Sequence, residues 1–277
     1  MVEELPRPLA QQRSKRPRGL VPLAQRAAEL NMTVAALRRY VNQGSVTGQT
    51  RRIGNRIYVA RNLNALLRTP RRSKGESSGS GRTTTLTRET GETRVTVEIN
   101  LDGQGQYRIQ TGNTMLDHLL AQLARHGLLD LTISAQGDAI SDNHHLVEDV
   151  AIALGRALRQ AIGEGKGIYR MGSALVPLDE SLAQVALDAS GRGYAVVETQ
   201  LEGAMVGDFP GELVSHFLER VALEGNMTLH ARVLTGVDPH HKAEALFKAF
   251  AKALRTAVQL DPRAAGAVPS TKGTVSG

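Results

Sequence analysis

The pattern His-His-x-x-Glu occurs twice, as His144-His145-Leu146-Val147-Glu148 and His240-His241-Lys242-Ala243-Glu244, with starts 96 residues apart. On a helix the first His and the Glu are i,i+4 neighbours, and the second His and the Glu are i,i+3 neighbours. A carboxylate can therefore sit beside an imidazole on one helical face. The two adjacent histidines cannot share that direction, because successive helical residues point about 100° apart. Each pair is better suited to serving two metal ions than one. One His-His pair alone would read as a solvated helix end. Two copies are harder to dismiss, because an apolar-periodic stretch follows each, at Val150-Ala151-Ile152-Ala153-Leu154 and Ala245-Leu246-Phe247-Lys248-Ala249-Phe250. A chain of this kind is expected to be built by duplication around a two-metal arrangement.

The duplication extends upstream. In each half one His of the helical pattern before the motif sits at a matching distance, His118 and His216, 26 and 24 residues before the following pair. The symmetry proposes three His and one Glu per metal: His118, His144, His145, Glu148, His216, His240, His241 and Glu244. His126 and His230 have no counterpart in this pattern and read as ordinary packed or hydrogen-bonded histidines. The chain has no Cys, which removes thiolate and iron–sulfur chemistry and fits a reducing cytosol. Imidazole with carboxylate suits manganese, iron, zinc or nickel, and softness does not choose among them.

The strand and helix patterns of the larger part repeat as well. Thr93–Leu101 alternates as a half-buried strand, with Tyr107–Thr111 expected as its hairpin partner after the Asp102-Gly103 turn. Helix at Met115–His126, strand at Leu129–Ala135 and helix at His144–Ile162 complete the first half. The second half repeats the order. Strands at Ser181–Asp188 and Tyr194–Gln200 precede a helix at Gly211–Glu224, a strand at Met227–Val233 and a helix at His240–Val258. The expected class is α+β, with pseudo-duplicated strand-rich halves and packed helices.

Charge divides the chain. Residues 1–82 carry 17 Lys+Arg against 4 Asp+Glu, whereas residues 83–277 carry 17 against 23. The formal charge of +7 thus conceals a strongly basic first part and an acidic second part. The expected organisation is a basic module over 1–69, a flexible Ser/Gly/Arg-rich linker over 70–82, and a catalytic domain over 83–277. In the first part, helices at Leu23–Leu30 and Val34–Asn42 (with Thr33 as N-cap) precede a basic hairpin at Arg51–Val59 turning at Gly54-Asn55. A closing helix at Asn62–Leu67 could follow. This order resembles the winged helix-turn-helix of the excisionase and MerR-like families, loosely and over residues 20–67. It implies DNA as a partner, although Lys and Arg attract any polyanion. No apolar run approaches the ~20 residues that span a bilayer, so no membrane partner is expected.

Residues 83–277 resemble the imidazoleglycerol-phosphate dehydratase family. The resemblance rests on Glu92-Thr93, Leu101-Asp102-Gly103, Met115-Leu116-Asp117-His118, His144 to Asp149, Gly167-Ile168-Tyr169-Arg170, Val176 to Glu180, Ser190-Gly191-Arg192, Thr228-Leu229-His230, His240-His241, Phe247-Lys248 and Pro269 to Gly273. It implies a ribosomal protein S5 domain 2-like fold and dehydration of D-erythro-imidazole-glycerol phosphate to imidazole-acetol phosphate in histidine biosynthesis. Two manganese ions per active site are implied, on the eight residues already named. Substrate and phosphate contacts are implied at Glu92, Arg170, Arg192, Ser270 and Lys272, with the 267–273 tail as a lid. An octahedral homo-oligomer of 24 subunits with shared active sites is implied too, as is a cytoplasmic location. Glu92 and Glu244 are the expected proton carriers, and Glu148 is less suited because a tightly held ligand is a poor base. Asn113, Met115, Ser141 and Asp238 depart from the family's commoner residues, and none of them is a ligand. A dimetal phosphohydrolase would favour an Asp-rich set, and a regulator with a degenerate enzyme domain would have lost some of its ligands.

Overall fold

The computed structural model describes residues 20–29, 34, 50–53, 56–60, 81–137, 143–264, 266–271 and 273. The chain divides into two compact units, Met1–Ser77 and Ser78–Gly277.

In the first unit, β1 (Leu20–Pro22) leads directly into helix α1 (Leu23–Glu29), and β2 (Thr50–Ile53) pairs with β3 (Arg56–Ala60). The sheet order is β1-β3-β2, antiparallel throughout. Val21, Leu23 and Ala27 are buried. The expected first helix and the basic hairpin are present. The Gly54-Asn55 turn, all of the second helix but Val34, and the closing helix lie outside the described residues.

The second unit contains two four-stranded sheets of one topology. The first runs β4 (Thr83–Glu89), β5 (Thr93–Asn100), β7 (Asp130–Gly137), β6 (Tyr107–Gln110). The second runs β8 (Met171–Leu178), β9 (Ser181–Asp188), β13 (Thr228–Thr235), β10 (Tyr194–Glu198). In both, the third strand in sequence lies at the edge and pairs parallel with the fourth. Parallel neighbours need a crossover of a dozen or more residues. Helix α2 (Thr114–Gly127) supplies it in the first half and α4 (Glu212–Glu224) in the second. The second half also carries a small hairpin, β11 (Met205–Val206) with β12 (Phe209–Pro210). Each half ends in a 20-residue helix, α3 (Asn143–Ile162) or α5 (Pro239–Val258).

Two expectations are corrected. Tyr107–Gln110 does not return against Thr93–Asn100; it pairs parallel with β7, after which α2 makes the crossover. Strand β5 instead sits between β4 and β7. Strands β4 and β8, each the first of its sheet, had no expected counterpart.

The core is one continuous cluster between the sheets and helices. Strand β5 alternates buried Val95, Val97 and Ile99 with more exposed residues, as a strand with one covered face must. All four phenylalanines, Phe209, Phe217, Phe247 and Phe250, are buried. Helix α5 presents Ala243, Ala249, Ala253 and Ala257 to the interior, which lets β8 come close. A Cβ at Gly172 would stand 2.1 Å from the Ala253 carbonyl oxygen, so that contact requires glycine.

The site helices are fixed at their first turns. The Asn113 side chain accepts from the Leu116 N–H and caps α2; Asp238 accepts from the His240 and His241 N–H groups and caps α5, with Pro239 following. Both residues are helix caps here. Among the described residues no helix is long and apolar enough to cross a membrane.

Candidate metal centres

The helices pair across the duplication. Helix α2 of the first half packs on α5 of the second, and α4 of the second packs on α3 of the first. This exchange brings His118 of one half, and His216 of the other, to the His-His-x-x-Glu helix of the opposite half. Among the described residues two groups could hold a metal ion: His118, His240 and Glu244, and His144, Glu148 and His216. Within each group the ligand atoms lie within 4.8 Å of one another.

In the first group, Oε2 of Glu244 lies 2.7 Å from Nε2 of His118 and 3.0 Å from Nε2 of His240. The other carboxylate oxygen lies 2.6 Å from Nζ of Lys248. Burial alone would raise the Glu244 pKa. Bonds from Lys248 and His118 outweigh it and hold the carboxyl at about 2. In the second group the His144 and His216 rings are 4.7 Å apart. Oε1 of Glu148 is 3.6 Å from Nε2 of His216, beyond hydrogen-bond reach, and 3.2 Å from Nε of Arg220. Nε2 of His216 is buried and has no hydrogen-bond partner among the described residues. Burial, helped by the neighbouring His144, pushes this imidazole's pKa down and keeps it neutral.

These donors fit a divalent cation. A buried nitrogen without a partner costs roughly 1–3 kcal/mol, and a metal ion at this point would remove that cost. Neutral imidazoles and ionised carboxylates are the forms that ligate.

His145 and His241 belong to neither group. Each ring stands nearly perpendicular to that of its neighbour, at 86° for His144/His145 and 83° for His240/His241, with centroids 6.1 Å apart. Nδ1 of His145 is 2.9 Å from Oε2 of Glu92, and Nδ1 of His241 is 2.8 Å from Oε2 of Glu180. The bond to Glu180 raises the His241 pKa. Amide bonds from Asp238, then the bond to His241 and the Val237 amide, hold Glu180 well below the usual carboxylate range.

The remaining candidates are dispersed. Arg170, at φ +71°, forks onto Asp188 at 2.7 and 3.0 Å and donates 2.9 Å to the Pro269 carbonyl. Pro269 is thereby tied to Arg170, with half-buried Ser270 next in sequence. Arg192 is exposed, and Lys272 lies outside the described residues. His126 is half-buried and His230 exposed, and neither enters a cluster. Sequence reasoning assigned no role to Glu180, Lys248 or Asp149.

The sequence profile described as imidazoleglycerol-phosphate dehydratase matches residues 111–254. The chain is 56% identical over 192 residues to the imidazoleglycerol-phosphate dehydratase of Dehalococcoides mccartyi, an alignment spanning 69% of this chain and 96% of the relative. It is 51% identical over 194 residues to that of Albidiferax ferrireducens, covering 70% of this chain and 95% of the other. Among solved structures, the Staphylococcus aureus enzyme of that name superposes with a TM-score of 0.59 at 35% identity, covering 65% of this chain and 99% of that one. The Pyrococcus furiosus enzyme gives 0.58 at 34%, covering 68% and 99%. The chain belongs to the imidazoleglycerol-phosphate dehydratase family, the hydro-lyases that remove water from imidazole-glycerol phosphate in histidine biosynthesis.

Proposed function

We propose that this dehydration runs at a dimanganese site shared between copies of the chain. The observation that carries the reading is the pair of equivalent two-His, one-Glu groups, one of them holding a buried imidazole nitrogen with no partner. His118, His240 and Glu244 would hold one ion, and His144, His216 and Glu148 the other. His145 and His241, turned away from both groups, would complete the cages of a neighbouring copy in a homo-oligomer, which the family resemblance takes to 24 subunits. The chain is read as cytoplasmic. Bound manganese supplies Lewis-acid polarisation of the substrate's imidazole and a template that orients it.

The other roles fall to the chain's own side chains. Arg170, Arg192, Ser270 and Lys272 would hold the phosphate, the arginines through charge-assisted bonds. Arg170 would bring the tail with it, since it already bonds to Pro269. Glu92 and Glu244 are the two proton carriers inferred from the chemistry. Of these, Glu92 is the freer: its carboxylate is half exposed, with His145 as its side-chain partner, whereas both oxygens of Glu244 are engaged. Glu92 would take the proton from the carbon beside the ring and return one to the departing hydroxyl.

The test is turnover of imidazole-glycerol phosphate by the purified full chain, with metal analysis. Chelation should remove activity and added Mn2+ restore it, with two ions per chain at saturation. Release of inorganic phosphate in place of the dehydrated product would overturn the reading in favour of a phosphohydrolase.

A second role for the first unit is favoured by its charge and by the β2–β3 pair. Register sets Arg51 across from Tyr58 and Ile53 across from Arg56, beside Arg52. In this reading residues 20–67 bind duplex DNA through backbone phosphates. A gel-shift salt series should show binding that weakens steeply as salt rises, and removing residues 1–80 should abolish it while leaving turnover intact. No binding at low salt would remove this role.

A further inference from the structure

Glu92 and Glu180 occupy equivalent places in the duplicated fold. Each lies in the turn between the first two strands of its sheet, β4–β5 or β8–β9, and each holds Nδ1 of the second histidine of its own half. Their surroundings differ. Among the described residues the Glu92 carboxylate has one side-chain partner, His145. Every oxygen of Glu180 is engaged: Oε2 by His241, and Oε1 by the Asp238 N–H at 2.9 Å, the Val237 N–H at 3.1 Å and the Ser181 hydroxyl at 3.1 Å.

The β8–β9 turn is also pressed against the segment between β13 and α5. A Cβ at Gly236 would stand 2.4 Å from the Ser181 hydroxyl oxygen. Thr235 donates from its hydroxyl to the Glu180 carbonyl at 3.4 Å. Asp238, whose N–H Glu180 holds, caps the helix that carries His241. A single carboxylate therefore fixes the start of α5 and the ring of its third residue together.

We propose that Glu180 is a positioning residue: it holds the proton of His241 on Nδ1 and turns Nε2, which lies outside its own chain's clusters and 3.8 Å from Oδ2 of Asp179, into the atom that ligates. This rests on the dimanganese reading of the proposed function. A carboxylate that accepts from the second ring nitrogen sets both tautomer and orientation of a ligating histidine, and losing one typically costs 10–100-fold in metal affinity. The same geometry separates the two glutamates. Both oxygens of Glu180 are engaged, whereas among the described residues only Oε2 of Glu92 is.

The discriminating variant is Glu180→Gln in the full chain. Glutamine keeps an oxygen for the Val237 and Asp238 amides but turns an NH2 toward Nδ1. His241 must then accept there and carry its proton on Nε2. Magic-angle-spinning NMR of 15N-histidine-labelled, metal-free protein reads the tautomer, with the His241 signals assigned by their loss in His241→Asn. Calorimetric titration with Mn2+ reads affinity. Wild type should show the Nδ1–H tautomer. Glu180→Gln should show Nε2–H, with one of two manganese sites weakened about 10–100-fold and the melting temperature little changed. An unchanged tautomer would overturn the proposal, as would a switched tautomer with both sites at wild-type affinity. A purely structural role would lower the melting temperature and leave the tautomer alone, which also overturns it. If wild type itself takes up no Mn2+, the dimanganese reading fails separately, and the tautomer alone decides whether Glu180 fixes His241.

Discussion

Replacing His145 or His241 by alanine is expected to lower kcat at least about a thousandfold and to reduce bound manganese, although neither residue lies in a cluster of its own chain. Metal polarisation of a substrate is worth several kcal/mol in the transition state, and each 1.36 kcal/mol is tenfold in rate, so losing the ion costs about three decades or more. The fold should survive, because both rings are partly exposed and their N–H bonds run to surface carboxylates. Co-assembly gives the sharper measurement. A His145→Ala/His241→Ala chain keeps both clusters and loses both outward imidazoles; a His118→Ala/His216→Ala chain does the reverse. Each alone should be inactive. Assembled together they should recover activity well above either parent, because some sites then combine an intact cluster with an intact donor. A mixture that stays as inactive as its parents would show that the cages close within one chain.

Such an experiment is needed because the two kinds of histidine look alike in sequence. The helical spacing of His144/Glu148 and of His240/Glu244 is a local property, and the structure places each pair in one cluster. That adjacent histidines point in different directions follows from helix geometry alone, and each pair's ring centroids stand 6.1 Å apart with only the first ring in a cluster. What local spacing could not state is that His118 meets the helix of the other half. This follows from the packing of α2 on α5 and α4 on α3, a choice made by the core. The strand errors have the same origin. Asp102-Gly103 after an alternating strand is a fair hairpin signal, but β6 is an edge strand whose parallel pairing depends on the α2 crossover. Strand β4, Thr-Thr-Thr-Leu-Thr-Arg-Glu, has one large aliphatic residue and alternates between half-buried and exposed, so its hydrophobic periodicity is faint. Glu180 escaped because its role is set by the β13–α5 segment folding back onto a turn more than 50 residues earlier, as the bonds from Val237 and Asp238 record.

Arg88→Ala is expected to destabilise the second unit by about 3 kcal/mol and to slow turnover without removing manganese. Asp149 is buried on α3, one residue after Glu148, and accepts from Nε of Arg88 at 2.7 Å and from the hydroxyls of Thr90 and Thr93. Without Arg88 the carboxylate keeps its burial and loses its only cationic partner among the described residues, a mechanism that typically costs 3–5 kcal/mol. The lower end applies here, since the Arg88 side chain is one quarter exposed. For a domain of this size the apparent Tm should fall by roughly 6–12 °C, read at matched protein concentration because assembly makes Tm concentration-dependent. The same network ties both ends of the turn that carries Glu92 to the helix that carries His144, His145 and Glu148. Loosening it should spread the positions of the Glu92 carboxylate, lowering kcat more than it raises KM, while the clusters keep their metal. Replacing both partners, as Arg88→Met with Asp149→Leu, should recover part of the lost Tm because no unpaired charge remains, yet leave kcat low because Thr90 and Thr93 no longer have an acceptor to hold the turn. Recovery of kcat along with Tm in that double variant would show that the network serves stability alone.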